Sequence, residues 1–92
     1  MIPDAAIPVL PRGVRLHWCK VREGWFLLAP ERALKMDTIA AAVLGEVDGA
    51  RSLAQIVDRL AETYKAPRDR ICADVATLLE GLRARRMLEI AP

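Results

Sequence analysis

The chain has 92 residues, with 53% hydrophobic and 28% charged side chains and a formal net charge of +2, which describes one small globular domain with a single core. No apolar run approaches the ~20 residues that a membrane span requires. The nearly balanced charge also differs from that of a typical nucleic-acid binder, which carries a basic stripe and a higher pI.

The N-terminal segment, residues 1–11, contains Pro3, Pro8 and Pro11. Proline fixes φ and lacks an amide donor, so we expect a flexible proline-rich arm here, followed by a single domain over residues 12–92. The arm has no basic stretch followed by a long apolar one, as a secretory signal would have. We therefore expect a cytoplasmic protein.

Two strands are predicted after the arm. Residues 14–21 alternate between apolar and polar side chains, which is the period of a strand. Residues 22–24, Arg-Glu-Gly, supply a hairpin turn in which Gly24 is available for a positive φ. Residues 25–28 form an unbroken apolar run, typical of a strand covered on both faces.

A third strand follows the turn at residues 29–31, Ala-Pro-Glu. Arg32–Met36 alternates polar and apolar side chains, as a strand with one solvated face does. The sequence after Met36 predicts only helices. The outer N–H and C=O groups of this strand would therefore remain open to another chain. This edge favours peptide binding by strand addition, and it also permits a dimer formed through the same edge.

The first helix is expected to begin at an N-cap formed by Asp37 or Thr38, whose side chains can accept from free amides of the first turn. Asp48-Gly49 is expected to end it, because glycine readily adopts the left-handed conformation. Its predicted apolar face consists of Ile39, Val43, Leu44 and Val47.

Two further helices are predicted, which completes a winged-helix-like α+β domain with a three-stranded antiparallel sheet followed by three helices. Ser52 and Gln55 form the capping box of the second helix, and Pro67 ends it. Gly81 weakens the third helix by up to ~1 kcal/mol relative to alanine, so we expect fraying or bending there. The apolar stripes are Leu53, Ile56, Val57, Leu60, Ala61 and Tyr64 in the second helix, and Ile71, Val75, Leu78, Leu79 and Leu82 in the third.

Metal and enzyme functions are not favoured. His17 and Cys19 would share one face of the first strand, but His17 is the chain's one histidine and the other cysteine, Cys72, is distant in sequence. A structural zinc site takes four ligands and a catalytic one three. The sequence also lacks a glycine-rich phosphate loop, an HExxH motif and a nucleophile elbow. We predict no cofactor, no metal and no enzymatic activity.

A DNA-binding or purely structural role is the alternative that the winged-helix-like architecture raises. A recognition helix displays cations and amides toward the groove, whereas the exposed sides of the second and third helices mix cations with carboxylates. The basic cluster at residues 83–86 is typical of a solvated helix end. We therefore expect no nucleic-acid partner. The exposed residues concerned are Gln55, Asp58, Arg59, Glu62, Arg68, Asp69, Arg70, Asp74, Thr77 and Glu80.

Several short motifs carry a resemblance to a known family. Residues 10–14 (LPRGV), 27–32 (LLAPER) and 48–52 (DGARS) occur in this order, followed by Ile56, Leu60 and Tyr64. Their order and spacing resemble PqqD, the small accessory protein of pyrroloquinoline quinone (PQQ) biosynthesis. The resemblance extends from about residue 10 to residue 89.

This resemblance implies a peptide chaperone that binds the precursor peptide PqqA and presents it to PqqE, a radical S-adenosylmethionine enzyme. It implies the fold of the recognition element found in many pathways that modify ribosomal peptides. In that family the peptide adds as a strand beside the third strand and lies against the third helix. The matching positions here are Arg32, Ala33, Leu34, Lys35, Met36, Ile71, Asp74, Val75, Leu78 and Leu79.

Within this predicted site, Leu34 and Met36 are expected to form a floor, with Val75, Leu78 and Leu79 as the wall. The alternative is that all five belong to the core.

Overall fold

The computed structural model describes residues 2–91 and confirms the α+β fold with a three-stranded antiparallel sheet followed by three helices. None of the helices within these residues is long and apolar enough to cross a membrane. The elements are β1 (Ile7–Val9), β2 (Arg15–Cys19), β3 (Gly24–Ala29), β4 (Arg32–Met36), α1 (Thr38–Gly45), α2 (Leu53–Tyr64), α3 (Arg68–Ala84) and β5 (Glu89–Ala91).

The main sheet has the strand order β2-β3-β4, and both of its pairings are antiparallel. The two residues Pro30 and Glu31 connect β3 to β4, as the sequence predicts. In the turn between β2 and β3, the positive φ expected at Gly24 is instead found at Glu23, with φ 49°. Gly24 already belongs to β3, where its backbone is extended. The residue of the turn with a positive φ is therefore Glu23, one position before Gly24.

The helices start at the predicted caps. The Asp37 side chain accepts from the Ala40 amide at 2.7 Å, and Ser52 and Gln55 form a complete capping box. Lys65 ends α2 in the left-handed conformation. Pro67, which follows the end of α2, is the N-cap of α3.

The end of α1 differs from the prediction. The helix stops at Gly45, and the Asp48 carboxylate instead accepts from the amides of Ala50 at 2.9 Å and Arg51 at 2.8 Å. Those amides, with Arg51 first, hold the pKa of Asp48 below its usual value. Gly49 takes its positive φ within this loop. This Asx turn at Asp48 competes with the helix for the backbone groups, which explains the earlier end.

Two short strands, β1 and β5, are absent from the sequence prediction. They pair antiparallel, with Pro8 opposite Ile90, and so the proline-rich segment expected to be a flexible arm is paired and packed. Its carbonyl groups also accept from the start of α2: the amides of Leu53 and Ala54 donate to Ala6 and Asp4 at 2.8 and 3.0 Å. These contacts join residues that lie far apart in the chain, which a local pattern does not reveal.

Ile2 provides a test of this packing. Its side chain is 4% exposed and belongs to the main core cluster. Because Ile→Ala in a core removes buried methyl groups and leaves a cavity, we expect Ile2→Ala to lower the free energy of unfolding by about 2 kcal/mol.

The matched control is Val21→Ala, since Val21 is 94% exposed in the β2–β3 turn. Urea unfolding of both variants measures the difference. A loss below about 0.5 kcal/mol for Ile2→Ala, the usual range for surface substitutions, would show that this segment is loosely held after all.

Candidate peptide-binding site

β4 is an edge strand of the main sheet, and within residues 2–91 it pairs with β3 alone. Its register with β3 shows which backbone groups are open. Ala29 and Arg32 close a two-residue turn, in which the first carbonyl accepts from the fourth amide. Hydrogen-bonded and non-hydrogen-bonded pairs alternate along an antiparallel ladder, so Leu34 and Met36 bond to β3, while the N–H and C=O groups of Ala33 and Lys35 point outward.

The side chains of β4 alternate between the two faces of the sheet. Leu34 and Met36 face the core, and Met36 is buried. Ala33 and Lys35 lie on the other face and are exposed. A strand added beside β4 would therefore meet an apolar surface on one side and solvent on the other.

The apolar side is a groove between β4 and α3, of about 300 Å³, which we call the edge groove. Leu78 and Leu82 form its wall on α3. Thr77, Gly81 and Arg85 form its rim, spaced four residues apart along one side of the helix. The lining residues are Leu34, Lys35, Met36, Thr77, Leu78, Gly81, Leu82 and Arg85.

A second groove of about 530 Å³, the helix groove, lies next to the edge groove. Leu78 lines both grooves, and Asp37, which lines the helix groove, follows directly after β4. Ile39 on α1 and Tyr64 on α2 flank it and are largely exposed, Ile39 at 63%. The sequence placed Ile39 and Tyr64 on the apolar faces of their helices, but both side chains are exposed in the structure. The lining residues are Asp37, Ile39, Ala40, Val43, Leu60, Tyr64, Ala66, Pro67, Arg70, Ile71, Asp74, Val75 and Leu78.

The predicted site residues divide between these grooves. Leu34, Lys35, Met36 and Leu78 line the edge groove, with Arg32 and Ala33 exposed in β4 beside it. Leu79 lines neither groove; it is 0% exposed and supports the groove wall from the core. On α3 the remaining predicted residues, Ile71, Asp74 and Val75, line the helix groove.

Four residues of the edge groove are missing from the predicted site: Thr77, Gly81, Leu82 and Arg85. The apolar period of α3 identifies its buried stripe, but it does not tell which turn of the helix lies beside β4. Gly81 was the available signal. It lies within α3 without a positive φ, and a Cβ at this position would meet nothing within 4 Å. The helix therefore does not require glycine, and the missing side chain leaves the edge groove open at this position.

The ion pairs lie away from the grooves' apolar floor. Arg51 contacts Glu46 at 3.1 Å and Arg59 contacts Glu46 at 2.6 Å, and Arg68 pairs with Asp58. The hydrogen bond from Arg59 to Glu46 raises the pKa of that guanidinium. Within residues 2–91 no group of three histidine, cysteine, aspartate or glutamate residues is positioned to hold a metal ion.

Several known proteins are similar to this chain in sequence and in fold. A family model described as "Coenzyme PQQ synthesis protein D (PqqD)" matches residues 24–88. A PqqA binding protein of Rhizobium meliloti is 46% identical over 90 residues, which cover 98% of this chain and 92% of the relative. A bifunctional coenzyme PQQ synthesis protein C/D of Methylorubrum extorquens is 47% identical over 83 residues, covering 90% of this chain and 22% of that longer protein.

Two solved structures are also similar. The solution structure of the PqqD truncation of Methylobacterium extorquens PqqCD has a TM-score of 0.84 and 44% identity, and covers 97% of this chain and 95% of that one. It represents a functional, stand-alone recognition element for ribosomally synthesized and post-translationally modified peptides. The crystal structure of PqqD from Xanthomonas campestris has a TM-score of 0.61 and 40% identity, with 97% and 99% coverage.

Proposed function

Because the chain belongs to the family of coenzyme PQQ synthesis protein D, PqqD, we propose that it binds the precursor peptide PqqA as a strand added to β4. The observation that supports this most is the coincidence of two features. The outward N–H and C=O groups of Ala33 and Lys35 lie beside an apolar groove formed by β4 and α3. Backbone pairing supplies affinity, and pockets for alternate side chains supply selectivity.

The path of the peptide follows from the grooves. Five residues can pair with β4, whose length is about 17 Å at ~3.3 Å per residue. Beyond Met36 the peptide would continue into the helix groove, past Ile71 and Val75. This path brings it to the α3 residues expected from the family pattern while leaving Leu79 in the core.

The bound peptide would then be presented to the radical S-adenosylmethionine enzyme PqqE. In this role the protein acts as a chaperone and performs no chemistry itself. The same open edge allows a dimer of this chain in the absence of peptide, and PqqA would compete with that dimer. Light scattering with and without saturating PqqA distinguishes the monomer from the edge-mediated dimer.

A DNA-binding or structural role remains the competing function, and titration discriminates between the two. We expect saturable binding of PqqA that depends only modestly on salt, because backbone pairing and apolar contacts supply most of the affinity. Binding to DNA would instead fall steeply with salt, since each neutralised phosphate releases counterions. The acidic partners of Arg59 and Arg68 on the helices oppose such binding.

The measurement is calorimetric titration with PqqA and, separately, with duplex DNA at two salt concentrations. An isotope-labelled spectrum should show peptide-induced shifts along β4 and α3, with little change at Gln55 and Glu62 of α2. Strongly salt-dependent DNA binding, or shifts concentrated on the exposed side of α2 around Gln55 and Glu62, would contradict strand addition.

A further inference from the structure

The outer face of the main sheet carries positive charge beside the open edge. Lys35 lies opposite Phe26 in the register, and its Cε is 3.8 Å from where a Cβ at Gly24 would be. The Arg22 guanidinium carbon lies 5.5 Å from the centre of the Phe26 ring. Lys35 and Arg22 therefore lie around one aromatic ring on this face.

Among the described residues, these two cations have no carboxylate partner. Neither takes part in an ion pair within residues 2–91, whereas Arg51, Arg59 and Arg68 do. The three strands β2, β3 and β4 contain no aspartate or glutamate at all. An acidic side chain brought to this face would thus find unpaired cations without a competing carboxylate on the strands.

The pleat of β4 determines where that acidic side chain would come from. In a strand added along β4, the residue beside Lys35 shares its face, and such neighbours have Cβ atoms about 4.5–5.5 Å apart. The residues before and after it turn to the other face, toward Leu34 and Met36 and the leucines of α3. This alternation is the same for a parallel and an antiparallel peptide.

We propose, on the basis of the strand addition proposed above, that the chain selects a peptide triplet of apolar, acidic and apolar residues, and that Lys35, supported by Arg22, recognises the central carboxylate. The two apolar residues enter the edge groove. Lys35 thereby sets the register of the peptide, because sliding by one residue would place an apolar side chain beside Lys35 and a carboxylate in the groove.

A charge-reversal experiment tests this recognition. PqqA is titrated against Lys35→Glu and against the matched control Arg15→Glu, which makes the same charge change on the same face but in β2, at the far edge of the sheet. Opposite-charge pairs across strands contribute modestly, so reversal should weaken binding about fivefold for Lys35→Glu. Binding to the Arg15→Glu control should stay within about twofold of the unchanged protein. Arg15 and the added strand would lie at opposite edges of the sheet, and exposed charges more than about 10 Å apart are largely screened.

Peptide variants identify the partner. Each acidic residue of PqqA is changed in turn to lysine, and one of these peptides should bind Lys35→Glu better than it binds the unchanged protein. That residue should lie between two apolar ones. If no single position is coupled to Lys35 while the Ala33 amide becomes protected by PqqA, the recognition by Lys35 is overturned and strand addition stands. If PqqA binds without protecting Ala33, strand addition and this proposal both fail.

Discussion

Proline at Ala33 is expected to reduce peptide affinity at least about tenfold without unfolding the protein. The Ala33 amide points away from β3, so proline removes a donor that only an added strand uses, and edge strands tolerate proline in this orientation. A lost hydrogen bond alone costs about 0.5–1.5 kcal/mol. The proline ring also occupies the space of the incoming backbone. Calorimetric titration with PqqA measures the loss.

Two matched variants control for this change. Ala33→Thr retains the amide and a side chain suited to strands, so it should bind like the unchanged protein. Leu34→Pro removes a bond to β3 and should instead lower the melting temperature.

Turnover of PqqA by PqqE should fall with Ala33→Pro if the enzyme receives the peptide in this bound form. Unchanged affinity in Ala33→Pro, with circular dichroism showing an intact fold, would exclude β4 as the binding edge.

Filling the edge groove at Gly81 should separate binding from stability. Gly81→Ala is expected to raise the free energy of unfolding by up to ~1 kcal/mol, because alanine is the better helix former and a Cβ there meets nothing within 4 Å. Gly81→Leu also suits the helix, but its longer side chain enters the groove. Overpacking of this kind costs about 1–3 kcal/mol, which corresponds to roughly 5- to 150-fold weaker peptide binding.

The control for adding leucine to α3 is Ala73→Leu, since Ala73 is exposed and lines neither groove. That variant should bind PqqA normally. Thermal unfolding and peptide titration of all three variants are the measurements. A Gly81→Leu protein that binds with unchanged affinity would show that the peptide does not lie between β4 and α3.

The open edge strand was predictable because its signals are local. The turn at Pro30 and the alternation of Arg32–Met36 indicate the strand, and its bounds agree with β4 in the structure. The direction of its backbone groups was not predictable, since it depends on the register with β3. That register, with Ala29 opposite Arg32, leaves Ala33 and Lys35 open.

The remaining differences have long-range causes. Residues 7–9 pair with residues 89–91 across nearly the whole chain, and three-residue strands are too short to show a period. The sequence pattern of α3 identifies its apolar residues, Leu79 and Leu82 among them. It does not tell which of these residues line the edge groove. The structure places Leu79 in the core and Leu82 at the groove, because only the packing of α3 against the sheet determines which turn faces β4.

Amide hydrogen exchange of Ala33 and Lys35 tests strand addition at the atoms that would form it. In the peptide-free monomer these two amides should exchange rapidly with water, while that of Leu34, bonded to β3, should already exchange slowly. Saturating PqqA should slow exchange at Ala33 and Lys35 and leave Leu34 slow. Rapid exchange at both positions in the presence of saturating peptide would contradict the addition of PqqA as a strand along β4.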